Sequence, residues 1–362
     1  MKVITLLISI LLKCLTPPWT NPKFMNFRLD IIFLKILFAV CGIGLAYWLV
    51  FAFPWDSGES LLAVFYVIVS FSFIFGVPFV MGMATAYLGC RFRGRTIFWI
   101  YVAPALFVLL AILFSVLFAL EAIFCAVVAA PILVPCAFLG GLLGAYFQYR
   151  HANKISVSFV VMLPLLVAPL ESRWKHPHQT VTVHNQILID APLESVWNEI
   201  ASVREIQKEE LPANWIYWLD FPRPKAAEID FHGVGGTRTA TFERDVSFFE
   251  VVTEWNKPRA LAFTIDADPD FIPHTAFDKH IVVGGRFFDV LSGRYELEAQ
   301  EKKTILHLSS QHQLATPFND YAGWWSSHIM HSIQKTILVV IQQRAESTSI
   351  PMVPSMSAPH HE

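Results

Sequence analysis

Six histidines fall in the late expected strands and final helix: His274, His280, His307, His312, His328 and His331. An imidazole titrates near neutral pH, so any of them facing an enclosed space has the chemistry of a general acid or base. Strand alternation between Thr304 and Leu314 puts His307 and His312 on opposite faces, with His312 on the face of Leu306 and Leu308. On a helix after Asn319, His328 follows Trp325 by three residues and lies near its face, while His331 points further round. His274, Asp278 and His280 make a reasonable zinc or iron donor set by type, but their spacing matches no ligand motif, and no metal or cofactor is expected. Gly233-Val-Gly-Gly236 precedes a strand instead of opening a helix, so the phosphate-cradling logic of a dinucleotide loop does not apply. No G-x-S-x-G elbow, P-loop or H-E-x-x-H motif is present.

The elements that must hold these residues divide the chain in two. Of 362 residues, 54% are hydrophobic and 15% charged, against roughly 25% charged in an ordinary soluble domain. Residues 1–175 hold 12 Lys/Arg and 5 Asp/Glu, and residues 176–362 hold 15 and 24. An acidic second half with no basic stripe argues against a nucleic-acid partner. All five cysteines lie in the first half, with no C-x-x-C spacing and no disulfide framework to read.

Crossing a hydrocarbon core of about 30 Å takes roughly 20 apolar residues in helix. Four segments meet this, 31–54, 61–88, 97–120 and 122–147, and between Ser60 and Gln148 the only charges are Arg91, Arg93, Arg95 and Glu121. A fifth stretch, 155–170, covers only about 24 Å as a helix and is expected to span with local thinning. Lys23 and Arg28, then Arg91, Arg93 and Arg95, then Arg150 and Lys154 all fall on one side of this four-to-five-helix bundle. That side is expected to be cytoplasmic, with the N-terminus, and a fifth span puts the second half outside. Ionisable groups inside the bundle are scarce, so it reads as an anchor or lipid-facing platform, not as a pump. Residues 1–24 read either as an extension upstream of a start at Met25 or as a short interfacial helix.

After a linker, 171–179, the pattern turns to alternation. Thr180 to Ile189 reads as a strand, and Asp190-Ala-Pro-Leu-Glu194 has a capping residue, a first-turn proline and an early acid suited to a helix start. Strands are expected over 226–231, 237–244, 246–255, 260–265, 279–288, 293–299 and 304–314. A long amphipathic helix then runs to about Ala345, its stripe including Phe318, Ala322, Trp325, Ile329, Ile333, Thr336 and Val340. A Ser-, Pro- and Met-rich tail, 346–362, is expected to be disordered.

The stretch Ile187-Leu-Ile-Asp-Ala-Pro-Leu-Glu-Ser-Val-Trp-Asn-Glu-Ile200, with Gly233-Val-Gly-Gly-Thr-Arg238, Val251-Val-Thr-Glu-Trp-Asn-Lys-Pro258 and Ser292-Gly-Arg-Tyr295, resembles the polyketide cyclase/dehydrase-like branch of the START-related SRPBCC, or helix-grip, superfamily. The likeness covers about 180–345. It implies an α+β domain whose antiparallel sheet wraps a long C-terminal helix, with a deep apolar cavity between them for hydrophobic ligands. Trp215, Trp218, Tyr321 and Trp325 would line such a cavity with aromatic surface and a few hydrogen-bonding tips, and His312 and His328 complete the expected ligand contacts. A ligand burying on the order of 300 Å² of apolar area would gain roughly 7 kcal/mol before ordering costs.

The sequence therefore predicts an N-terminal all-α membrane bundle joined to a helix-grip domain that binds a lipid, quinone or polyketide-like molecule at the bilayer surface. Two alternatives stay open at this level. One is a cyclase, dehydratase or hydrolase using a cavity histidine, which needs His312, His328 and a carboxylate within reach of one another. The other is a regulatory or assembly module with a vestigial cavity, which needs a filled interior and an exposed apolar patch.

Overall fold

The computed structural model describes residues 70–93, 97–118, 122–150, 154–171, 176–267, 283–285 and 287–349, with single helical positions at 39, 42 and 46. The expected extension 1–24, the remainder of the expected span 31–54, and His274, Asp278 and His280 lie outside these residues.

Four helices open the described chain: α1 (Val77–Arg93), α2 (Ala103–Leu117), α3 (Ile123–Tyr149) and α4 (Lys154–Glu171). α1 and α2 are each entered through a π-helical turn, Ser72–Gly76 and Phe98–Val102. Three helical segments are long and apolar enough to cross a membrane, Ser72–Phe92, Phe98–Leu117 and Ile123–Tyr149. The expected boundary at Leu88 falls short, because the helix runs on to carry Arg91 and Arg93 in its last turn. α3 keeps Pro131 and Pro135 inside its 27 residues, as membrane helices tolerate where neighbours take up the freed carbonyls. The stretch 155–170 forms α4, 18 residues or about 27 Å long. Its Pro164 lies against Gly76 and its Ala168 is buried in the bundle core.

Small residues set the distance between α1 and α3. A Cβ on Gly140 would lie 1.9 Å from the Phe79 carbonyl oxygen, and one on Gly82 would lie 1.9 Å from that of Ala137. The two backbones therefore touch where neither helix carries a side chain, the packing that membrane helices use in place of a hydrophobic driving force. Consecutive helices end and begin within a few residues of each other and pack side by side in one bundle, so they alternate in direction. Residues 72, 117, 123 and 171 thus share one end of the bundle, and 93, 98, 149 and 154 the other. At the first end the buried Glu171 carboxylate accepts hydrogen bonds from the backbone N–H groups of Phe71 and Ser72, the latter at 2.9 Å. This caps the entry to α1 with a charge of the favourable sign.

The second half grows from that same end. Its seven strands, β1 (Gln179–Ile189), β2 (Pro224–Ile229), β3 (Thr237–Phe242), β4 (Ser247–Asn256), β5 (Ala260–Asp266), β6 (Phe288–Gln300) and β7 (Lys303–Leu314), form one antiparallel sheet in the order β1-β7-β6-β5-β4-β3-β2. The sheet curls around a long helix, α6 (Asn319–Ser349), with the short helix α5 (Leu193–Ala201) between β1 and the meander. Ile189, Trp197, Ile200, Leu261, Leu306, Leu338 and Ile341 close a dry core at the end of the sheet remote from the helical bundle.

Several expected boundaries shift. The strand expected from 293 starts earlier, at Phe288, because Ser292-Gly293 is a mid-strand position of β6 where the Phe263 ring occupies the space a side chain would take, while the strand expected over 279–288 contributes only Phe288 among the described residues. Asp190 does not cap α5; the N-cap position is Pro192, and the Asp190 carboxylate accepts from Lys303 Nζ at 3.2 Å. The long helix continues past Ala345, since the Glu346 carboxylate accepts from the Asp190 N–H at 3.0 Å and from Gln342 at 3.2 Å. The expected disordered tail is therefore shorter at its start, and 350–362 lies outside the described residues.

Candidate functional site

Between the sheet and α6 opens a mostly apolar cavity that, together with its continuation into the helical bundle, encloses about 1100 Å³. The stripe expected on the final helix faces it: Phe318, Ala322, Trp325, Ile329 and Ile333 all line the space. Strand alternation supplies the opposite wall, with Arg238, Ala240 and Phe242 inward from β3 and Leu308, Ser310 and Leu314 inward from β7. The cavity continues past the domain. Phe73, Val77 and Met81 of the α1 segment, Phe114 of α2 and Val128, Ala129 and Ile132 of α3 line the same space. Two contacts join the halves: the Tyr321 hydroxyl donates to the Val128 carbonyl at 2.5 Å, and the rings of Phe124 and Phe221 meet edge-on at 5.2 Å.

The polar chemistry sits at the domain's inner end. Arg238 and Glu250 stand directly opposite each other on β3 and β4, both buried, and Nη1 of Arg238 donates to Oε2 of Glu250. Arg238 also stands beside the buried Tyr295 hydroxyl and lies 5.2 Å from the centre of the Phe263 ring. Burial pushes the Glu250 carboxyl above its ordinary range, with the guanidinium opposing that push, and burial raises the Tyr295 phenol too. The guanidinium stays protonated. Arg238 Nε, a buried donor, has no hydrogen-bond partner, and the same holds for the indole N–H of Trp325. Orphaned buried donors cost about 1–3 kcal/mol each, so these two, one on each wall of the cavity, mark places where a ligand oxygen would be welcome.

The residues singled out from sequence separate into two groups. Tyr321 and Trp325 line the cavity, although Tyr321 spends its hydroxyl on α3. Trp215, Trp218, His312 and His328 are not among its lining residues, which corrects the expectation of cavity contacts there. Trp215 turns its indole N–H to Ser332 Oγ at 2.8 Å on the flank of α6, because a buried-edge indole needs an acceptor. Trp218, in the 3₁₀ turn Trp215–Leu219, is 83% exposed. His328 is exposed, packs on the Trp324 ring at 4.3 Å and uses Nδ1 on the Trp324 carbonyl. His312 does lie on the inward face with Leu306 and Leu308, but Ser326 and Phe288 cover it. Its Nε2 is 2.8 Å from Ser326 Oγ, its Nδ1 has no partner, and burial lowers its pKa to about 4, so it is a neutral imidazole at pH 7. His312 and His328 do not converge, and the cluster required for a histidine-based enzyme is not assembled among the described residues.

Sequence reading missed the Arg238–Glu250 pair, and a signal for it existed. Arg238 shares a strand face with Ala240 and Phe242, and Glu250 shares one with Phe248 and Val252. Opposite charges on the apolar faces of two consecutive strands are the pattern of a buried pair.

No family model matches the chain, and no curated protein matches it in sequence. Solved structures align with the sheet-and-helix half. They include TTHA0849 from Thermus thermophilus, 16% identical, covering 47% of this chain and 100% of that one at a TM-score of 0.31. Ara h 8.0201 is 13% identical, covers 47% of this chain and 99% of its own, and scores 0.29. Norcoclaurine synthase from Thalictrum flavum is 12% identical, covers 46% and 86%, and scores 0.29.

Proposed function

We propose that this protein is a membrane-anchored helix-grip domain of the SRPBCC kind that binds a hydrophobic small molecule at the membrane surface. The observation that carries the reading is the continuous, mostly apolar cavity of about 1100 Å³ that runs from between the sheet and α6 into the helical bundle, with the buried Arg238–Glu250–Tyr295 group in its wall. Pockets for drug-sized ligands run to about 1,000 Å³ and use a few placed polar groups for orientation. An interior this large would be filled with side chains in a domain kept only for assembly.

In this reading the described helices cross the bilayer, α4 included, and the basic end carrying Arg91, Arg93, Arg150 and Lys154 is cytoplasmic. The domain joins the opposite end, through Glu171, and so lies on the non-cytoplasmic side. Trp325, Arg238, Glu250 and Tyr295 are the proposed ligand contacts, while Trp215, Trp218 and His328 stand outside the cavity.

The test is native mass spectrometry of the full chain released from detergent, with solvent extraction to identify what accompanies it. A co-purified lipid, quinone or other apolar molecule, lost in Trp325→Arg while the fold persists, supports the reading. A folded chain that carries nothing and takes up no hydrophobic dye overturns it.

A further inference from the structure

The cavity has a direction. β3 enters it at Arg238 and runs to Phe242, which pairs with Pro224 close to the contact of Phe221 with Phe124 of the bundle, and α6 runs the other way, from Tyr321 on the bundle to Ile337 near the closed core. Beyond Arg238 and Tyr295 the interior is packed by Trp197, Leu261, Leu306 and Leu338. The buried ion pair of the wall therefore stands at the blind end, and the bundle end is apolar. Past that end the lining is membrane helix: Phe73 to Met81, the last two turns of α2, and Phe124 to Leu133 of α3. Nine steps from Phe124 to Leu133 descend about 13 Å along α3, most of the roughly 15 Å that one leaflet contributes to a 30 Å core.

We propose that the occupant is a long-chain lipid held head-first, with an oxygen acceptor on Arg238 and its tail lying between α1, α2 and α3 within one leaflet. This rests on the binding function proposed above and goes beyond it by making the membrane helices half of the site. The chemistry at the blind end selects the head. Arg238 keeps an unused N–H beside a carboxylate that already balances its charge, so a carboxyl, carbonyl or hydroxyl oxygen fits better than a strongly charged phosphate, which would meet Glu250. The continuity of the space supplies the route: a lipid resident in the leaflet reaches Arg238 by sliding along apolar wall, with no passage through water.

The experiment uses the full chain in nanodiscs preloaded with an 18-carbon fatty acid carrying a photoreactive diazirine near its methyl end. A matched alkyl probe without the carboxyl is run in parallel. The expected result is crosslinking of the acid to peptides of α2 and α3, at 108–117 and 124–133. Ala129→Trp is expected to reduce it about tenfold. Arg238→Met/Glu250→Gln, a pair chosen to leave no lone buried charge, is expected to erase the preference for the acid over the alkyl probe. Crosslinks confined to the domain, or to α2 and α3 faces outside the cavity, overturn the composite site while leaving the binding function intact. An unchanged acid preference in the double variant overturns the head-first orientation. Absence of any uptake of either probe overturns the binding function itself. The wild-type crosslink positions decide the tail's place even if a variant fails to fold.

Discussion

Replacing Arg238 by Met leaves Glu250 as a carboxylate without a counter-charge in a nearly dry interior, since the two residues are 3% and 6% exposed. Breaking a buried pair from one side typically costs about 3–5 kcal/mol. At roughly 2–4 °C per kcal/mol for a domain of this size, melting falls by about 6–20 °C. The loss has a pH signature. Burial already holds the Glu250 carboxyl above its ordinary value, and removing the guanidinium raises it further. A carboxyl whose folded pKa lies above its unfolded one contributes its full stability below the unfolded value and loses it as pH rises through the folded value. The deficit of Arg238→Met is therefore small near pH 4.5 and grows towards pH 8. Adding Glu250→Gln removes the buried charge and recovers most of the loss, because exchanging both partners of a buried pair is often close to neutral. Differential scanning fluorimetry of the detergent-solubilised chain at pH 5, 6.5 and 8 reads all of this. A deficit that does not change with pH, or a double variant as unstable as the single one, would refute the reasoning.

Three further outcomes follow from the same structure. His312 is buried as a neutral imidazole with a pKa lowered from 6.5 to about 4, so the unfolded chain takes up a proton first as pH falls between those values. The gap caps the loss at about 3 kcal/mol, and partial solvent screening brings it to about 2; the acid limb of the stability curve should flatten in His312→Gln, and an unchanged limb refutes the assignment. Gly140→Val places a side chain where even a Cβ comes within 1.9 Å of the Phe79 carbonyl, so α1 and α3 separate and the melting temperature falls, whereas Leu139→Val on the exposed face leaves it within about 1 °C. Trp215→Phe forfeits the 2.8 Å bond to Ser332 and costs about 1 kcal/mol, with lipid uptake unchanged; a drop in uptake at constant stability would place Trp215 in the site after all.

Local sequence was enough for the division of the chain and for most elements. Charges are nearly missing between Ser60 and Gln148, and the chain there folds into three helices long and apolar enough to cross a membrane. Period-two alternation likewise foretold β1 and β7 nearly to the residue, and the 3.6-residue stripe foretold cavity-lining residues from Phe318 to Ile333, though not Thr336 and Val340, which lie outside the lining, because each pattern depends on one element presenting one face. Ser292-Gly293 misled for the same reason: a glycine in a strand reads as a turn until Phe263, thirty residues earlier, is seen filling its place.

The site itself required the third dimension. Trp215, Trp218 and His328 have the right chemistry for cavity contacts and stand outside the cavity, since the path of a 3₁₀ turn and the angular position on α6 are fixed by packing between elements. Arg238 and Glu250 are unremarkable in a list of charged residues. Cross-strand register brings them face to face, and burial in an apolar interior, where an unpaired charge is costly, turns that adjacency into a fixed polar end for the cavity. The junction of that cavity with α1, α2 and α3 depends on contacts such as Tyr321 with Val128, 193 residues apart, which no local pattern of side chains encodes.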